Sequence, residues 1–226
     1  MQDTRHKSFV AFLLIGGGLA FLSVATASHA QNAETVVIAL ERRYASVKTV
    51  TGGFQQTYRG PGIDQLESGS FWLKRPGFMR WEYRQPEEKL FIADGRESFL
   101  YVPEDRQVTI QPLLVSDMRG MPLELLLGAG KIRESFEVSW ELEFRPKTES
   151  ANLIRLTPAR SDAEYSFLIL ELDPETSDIR RIVIRERTGN TSEFLLTDVI
   201  TNPKIEDKKF QFKIPKGVEV IRLTRE

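Results

Sequence analysis

From about residue 50 onward the chain is a series of short runs in which apolar and polar side chains alternate. That period of two is the mark of half-buried β-strands. Val50 to Arg59 ends at Gly60-Pro61-Gly62, Leu66 to Arg75 at Pro76-Gly77, and Phe78 to Arg84 before Gln85-Pro86. Lys89 to Ala93 and Glu97 to Val102 flank Asp94-Gly95, a strong hairpin turn. Gln107 to Gln111 follows. Later runs are Phe136 to Phe144, Leu153 to Thr157, Tyr165 to Leu172, Asp178 to Arg187, Ser192 to Val199, Phe210 to Ile214 and Val218 to Leu223. The spacing predicts about 11–12 strands in one curled antiparallel sheet, a mainly β (α+β) fold.

Two stretches break this rhythm. Asn32 can cap a helix from Ala33 to about Val47, with Val36, Val37, Leu40, Tyr44 and Val47 on one face. Such a helix is expected to pack on the sheet. Between Pro112 and Gly130, leucines and methionines crowd together without alternation, which predicts a short amphipathic helical loop lying on the sheet. If that loop lifts, an apolar sheet face becomes a container; otherwise it is a plain core plug.

The first thirty residues belong to neither pattern. Arg5, His6 and Lys7 form a basic start, Phe9 to Leu22 an apolar run of 14 residues, and Ser28-His29-Ala30 a cleavage-like site. Residues 1–30 are therefore expected to be a signal peptide, and residues 31–226 a single soluble domain.

Composition narrows the chemistry. The 226-residue chain has 31 basic and 32 acidic residues, a net charge of −1, so nothing favours a nucleic-acid partner. It has no cysteine, and both histidines, His6 and His29, fall in the export segment. A mature chain without imidazole or thiol has no Ser-His-Asp or Cys-His catalysis, and no ordinary zinc site. Carboxylate chemistry stays open. Asp94, Glu82, Glu97 and Glu104 are near one another in sequence, but Asp94 sits in a tight turn and the others are expected in solvent. No catalytic residue, metal or cofactor is assigned. Gly128-Ala129-Gly130 completes no phosphate-binding motif.

The densest run of unusual residues is Phe71 to Tyr83. Alternation puts Phe71, Leu73 and Arg75 on one side of a strand, and Met79, Trp81 and Tyr83 on one side of the next. Aromatic and Met side chains beside a cation suit an amphiphile cavity. They suit an ordinary sheet core equally well.

These residues also carry a resemblance. Gly53-Phe54-x-Gln56, Lys74-Arg75-Pro76, Arg80-Trp81-Glu82-Tyr83, Gln85-Pro86, Asp94-Gly95, Tyr101-x-Pro103 and Phe210-x-Phe212-x-x-Pro215-x-Gly217-Val218 follow one another as in the LolA family. That family comprises the periplasmic carriers of outer-membrane lipoproteins. The resemblance implies an incomplete antiparallel β-barrel with helices covering a concave hydrophobic face. It implies acylated lipoproteins as cargo, received from an inner-membrane ABC transporter (LolCDE-like) and passed to an outer-membrane acceptor (LolB-like) by a monomeric carrier. The expected acyl-chain residues are Phe54, Phe71, Leu73, Met79, Trp81, Tyr83, Leu90 and Ile92. By motif, Arg75 becomes the latch of a lid containing Met121, Leu123, Leu126 and Leu127. Glu124 inside that segment, and Met79 where the family often has Phe, depart from the pattern. Two other readings keep a place: an envelope lipid-sensing module on the same fold, and a carboxylate enzyme.

Overall fold

Asn32 opens helix α1 (Ala33–Tyr44) as its side chain accepts a hydrogen bond from Glu34 N–H at 3.2 Å, which satisfies one amide the helix cannot. The helix ends three residues earlier than the periodicity predicts. Val47 N–H donates to the Tyr44 carbonyl at 3.1 Å, and this turn carries Val47 into the core. The computed structural model describes residues 32–113, 132–160, 163 and 165–223. The expected export segment and the lid residues Met121, Leu123, Leu126 and Leu127 lie outside the described residues.

After α1 the strands are β1 (Thr49–Gly60), β2 (Ile63–Lys74), β3 (Phe78–Gln85), β4 (Lys89–Asp94), β5 (Glu97–Val102) and β6 (Gln107–Pro112). A short helix, α2 (Ile132–Ser135), precedes β7 (Phe136–Trp140), β8 (Asn152–Pro158), β9 (Tyr165–Leu172), β10 (Ile179–Glu186) and β11 (Thr191–Thr201). The last strand is β12 (Glu219–Arg222). They form one twelve-stranded sheet in the order β12-β6-β5-β4-β3-β2-β1-β11-β10-β9-β8-β7. It is curled but unclosed, and every pairing is antiparallel except β12 beside β6, which is parallel. The Asp94-Gly95 hairpin forms as predicted: the Asp94 carboxylate accepts from Arg96 N–H and Glu97 N–H, both at 2.9 Å. That carboxylate is committed to its own turn.

The curl has a local cause. The ladder slips at Thr51/Gly53 against β11 and at Ser68/Gly69 against β3, and a bulge bends the strand that carries it. Glycine is required at the second site. A Cβ on Gly69 would collide with the Glu82 carbonyl oxygen and lie 2.9 Å from Phe54 Cε1. Gly69→Ala is expected to cost about 1–3 kcal/mol as an overpacked site, measured as a lower midpoint in urea with an unchanged slope.

Each face of the sheet buries its own cluster. The inner face holds the main core, in which Val36, Val37, Leu40 and Tyr44 of α1 lie against apolar residues of both halves of the sheet. On the outer face, Phe212, Ile214 and Val218 pack on Ile92, Phe99, Val108 and Ile110. Phe210 to Ile214 is therefore not the strand its alternation predicts. Asp207–Phe210 forms one 3₁₀ turn and the chain then runs extended as a strap, burying one side without pairing its backbone into the sheet. Phe136 to Phe144 is likewise shorter than predicted. The Glu141 carboxylate accepts from Glu143 N–H (2.6 Å) and Phe144 N–H (3.1 Å), turning the chain so that Phe144 packs on a third cluster of Leu153, Ile169 and Val183.

Charges fasten the strap. Glu82 accepts from Arg80 Nε at 2.6 Å and from Lys209 Nζ at 3.1 Å, while Lys209 stands 3.5 Å from the Trp72 ring centre. Lys74 pairs with Asp207. Burial alone would raise the Glu82 carboxyl, but the hydrogen bonds from Arg80 and Lys209 outweigh it and hold the group below its usual value. A carboxyl depressed in the folded state stabilises above its unfolded pKa, and that contribution is lost as pH falls through the folded one. Amide protection at 207–214 should therefore drop as pH is taken below the ordinary carboxylate range of about 4. Glu82→Gln should be less protected at neutral pH and lack that acid step.

Candidate functional site

The site is best assembled from strand register. Phe71 pairs with Trp81 and Leu73 with Met79 across β2 and β3; Trp81 pairs with Phe91 and Met79 with Ala93 across β3 and β4. Residues directly opposite in a ladder share a face, so these side chains all point inward, toward α1. On β1 and β11, Phe54 pairs with Leu196 and Gln56 with Phe194. The result is an aromatic group at the middle of the inner face. The Phe71 and Trp81 rings stack at 4.9 Å, and Phe54 stands edge-on to Trp81 at 4.8 Å and to Tyr83 at 5.0 Å. Phe194 closes the group, 5.8 Å from Trp81.

Six of the eight expected acyl-chain residues are thus gathered: Phe54, Phe71, Leu73, Met79, Trp81 and Tyr83. Leu90 and Ile92 are not. Ile92 pairs with Arg80 and Leu90 with Glu82, residues of the opposite parity, so both belong to the outer cluster beneath the strap. Phe91 and Ala93 occupy the inner positions instead. The cause is parity. A one-residue change of register moves every side chain of a strand to the other face, and the connection after Gln85-Pro86 does not reveal that register in the sequence.

The other half of the inner face went unpredicted. Ile154 and Leu156 of β8, Leu168, Leu170 and Leu172 of β9, and Ile182 of β10 are buried there. Their signal is blurred because Ile169 and Val183, between them, are buried on the outer face as well. A strand buried on both sides reads as a continuous apolar run, without alternation.

One end of the inner face is braced by α1. Tyr44 Oη accepts from Ile179 N–H at 3.2 Å, and Arg43 pairs with Asp178 at 3.0 Å. Glu41 receives both Nε and a terminal nitrogen of Arg133 of α2, at 3.1 and 3.0 Å. Arg75, half-buried, donates from its guanidinium to the Tyr44 carbonyl at 3.4 Å and from its backbone N–H to the Lys48 carbonyl at 2.9 Å. It touches the last turn of α1, sharing the Tyr44 carbonyl with Val47 N–H, and the negative end of a helix suits a cation.

At the other end the face turns polar. Tyr83 Oη donates to Gln56 Oε1 at 3.0 Å, and Gln56 Nε2 donates to Ser192 Oγ at 3.1 Å. Lys89 pairs with Glu67 and lies 5.0 Å from the Tyr83 ring centre. Burial, and the nearby Glu67 charge, push the Tyr83 phenol well above its usual value, so it stays a neutral donor. The candidate carboxylates stand elsewhere: Glu82 is clamped to Arg80 and Lys209, and Glu97 pairs with Arg222 at 3.0 Å. What the inner face offers is apolar surface on rigid strands, covered by a helix, with hydrogen-bonding groups at one end.

A family model described as outer membrane lipoprotein carrier protein LolA matches residues 45–213. An outer-membrane lipoprotein carrier protein of Bordetella pertussis is 31% identical over 211 residues, spanning 92% of this chain and 96% of the relative. One from Pseudomonas aeruginosa strain UCBPP-PA14 is 32% identical over 219 residues, spanning 95% of this chain and 96% of the relative. Among solved structures, an uncharacterized conserved protein from Thermus thermophilus is similar with a TM-score of 0.53 at 12% identity, covering 84% of this chain and 99% of that one. That last likeness concerns the fold alone.

Proposed function

The chain belongs to the LolA family of outer membrane lipoprotein carrier proteins, and on that premise we propose that its inner face takes up the acyl chains of lipoproteins and carries them across an aqueous space. The single observation behind this reading is the apolar inner face, where Phe54, Phe71, Leu73, Met79 and Trp81 are all at most 3% exposed. Each methylene moved from water onto such a surface contributes about 0.8 kcal/mol. An acylated protein cannot cross water unaided at that cost per methylene, and a carrier lowers it by substituting its own apolar groups for the membrane.

The chain acts by binding and release, without turning a substrate over. Residues 1–30 direct export and are then removed, leaving residues 31–226 as a periplasmic carrier domain. Cargo arrives from an inner-membrane ABC transporter of the LolCDE type and leaves to an outer-membrane acceptor of the LolB type. Met121, Leu123, Leu126 and Leu127 complete the cover over the acyl chains, and Arg75 latches it.

Purified residues 31–226, added to spheroplasts, should release newly made lipoproteins in soluble complexes that can be recovered with the carrier. Absence of release, together with a different envelope lipid found on the protein by native mass spectrometry, would overturn lipoprotein carriage and leave the apolar face as a site for that lipid.

A further inference from the structure

Five neighbouring strands change character toward the same end of the inner face. On β1 the inward residues pass from Val50 and Phe54 to Gln56; on β11, from Leu196 and Phe194 to Ser192. On β3 they pass from Met79 and Trp81 to Tyr83, and on β4 from Phe91 to Lys89, with Glu67 below Phe71 on β2. Register sets these polar residues on a diagonal: Tyr83 pairs with Lys89 level with Phe54, Gln56 pairs with Glu67 one inward step on, and Ser192, opposite Tyr58, lies one step beyond. Hydrogen bonds then join three of them: Tyr83 to Gln56 at 3.0 Å, and Gln56 to Ser192 at 3.1 Å.

A half-buried polar row, with Ser192 at its buried end, costs stability compared with the apolar residues that could fill the same positions, so its placement is informative. Its bonding capacity is incompletely used. A glutamine amide has two N–H donors, and Gln56 commits one of them, to Ser192 Oγ, among the described residues. Ser192, 6% exposed, accepts that bond and keeps its own hydroxyl proton. The spare groups are therefore neutral donors at the edge of an apolar surface. Lys89 and Glu67 neutralise each other beside them, so the row carries no net charge to attract an anion.

Resting on the carrier reading above, we infer that Gln56 and Ser192 form a subsite for the neutral ester or amide carbonyls at the head of a bound acyl chain. The row fixes how deep the hydrocarbon enters: methylenes lie against Phe54, Trp81 and Phe194, and the first carbonyl stops at Gln56. An acyl group joined through ester or amide meets both requirements, whereas a pure hydrocarbon meets the first alone.

The test compares two probes on the purified mature protein: a synthetic tripalmitoylated cysteinyl peptide, rich in ester and amide carbonyls, and N-phenyl-1-naphthylamine, which has none. Gln56→Leu and Ser192→Ala should each weaken peptide binding about fivefold to tenfold, the effect of one lost hydrogen bond, with dye affinity held within twofold. Thermal melts check that both variants are folded, and Ser192→Ala carries the test if Gln56→Leu is not. Unchanged peptide affinity, or equal weakening of both probes, overturns the subsite while lipoprotein carriage stands. A parent protein that holds the dye but never the peptide overturns the carrier reading itself, and the subsite with it.

Discussion

Arg75→Leu is expected to load with acylated cargo as the parent does, yet to pass it to an acceptor about tenfold more slowly or worse, the consequence of removing one charge-assisted hydrogen bond of ~1.5–3 kcal/mol. The guanidinium reaches the Tyr44 carbonyl at 3.4 Å, at the end of the helix that covers the inner face. Under the proposed carrier function, that contact favours the covered state over the loaded one. A carrier releases cargo in proportion to how favourable its empty state is, because whatever stabilises that state opposes the loaded one. Leucine in its place leaves the hydrocarbon contacts of the cargo intact and removes the opposing contribution. Arg75→Lys, which keeps the charge but not the planar fork, should fall between the two. The measurement is transfer of a labelled lipoprotein from its purified complex to acceptor-bearing vesicles, followed over time. Transfer by Arg75→Leu at the parent's rate would remove the latch from this account.

Glu171→Ala should cause the largest loss of stability, about 3–5 kcal/mol, because it leaves a buried cation without its main partner. Glu171 and Arg181 are 1% and 2% exposed, and their ion pair is 2.7 Å long. The same carboxylate accepts from Lys147 N–H and Thr148 N–H at 3.0 and 2.8 Å, so it also ties the 145–148 loop to the outer face. Among the described residues Arg181 Nε already lacks a hydrogen-bond partner, and Glu193 is 3.6 Å from the other side of the guanidinium. Without Glu171 the charge keeps this longer pair and the Arg145 carbonyl at 2.8 Å. At ~2–4 °C per kcal/mol for a domain of this size, the melting temperature should fall by roughly 6–20 °C. Replacing both residues together, as Glu171→Leu with Arg181→Met, should be much milder, since no unpaired charge remains. A double variant as unstable as Glu171→Ala would show that the pair contributes through packing or the loop contacts rather than through charge compensation.

Strands β2 and β3 show where sequence reading succeeds, and β4 and β9 where it stops. Phe71, Leu73, Met79 and Trp81 were legible because each strand is buried on one face only, and the Pro76-Gly77 turn between them is short. Leu90 and Ile92 read just as well as strand residues, but their face depended on a register set across the Gln85-Pro86 connection. In β9, Leu168, Ile169, Leu170 and Leu172 run together because both faces are covered, the inner by the main core and the outer by Phe144. Glu171 interrupts that run with a charge that reads as solvent-facing. In the fold it is one of the most buried residues, since a partner for it arrives from β10.

The same distinction governs the whole chain. Local chemistry alone determined the Asn32 cap, the Asp94-Gly95 turn, most of the alternating strands, the absence of histidine and cysteine from residues 31–226, and the motifs that point to the family. These depend on side chains within a few residues of one another, and such interactions are the same in any fold. Only the tertiary structure decided which side chains share a face, that Phe210 to Ile214 lies as an unpaired strap, and that Gln56, Tyr83 and Ser192 meet in a row. Ser192 is 136 residues from Gln56, and nothing in either segment specifies the other. That meeting follows from the registers of β1 with β11 and of β2 with β3, which are fixed when the whole sheet buries its two faces at once.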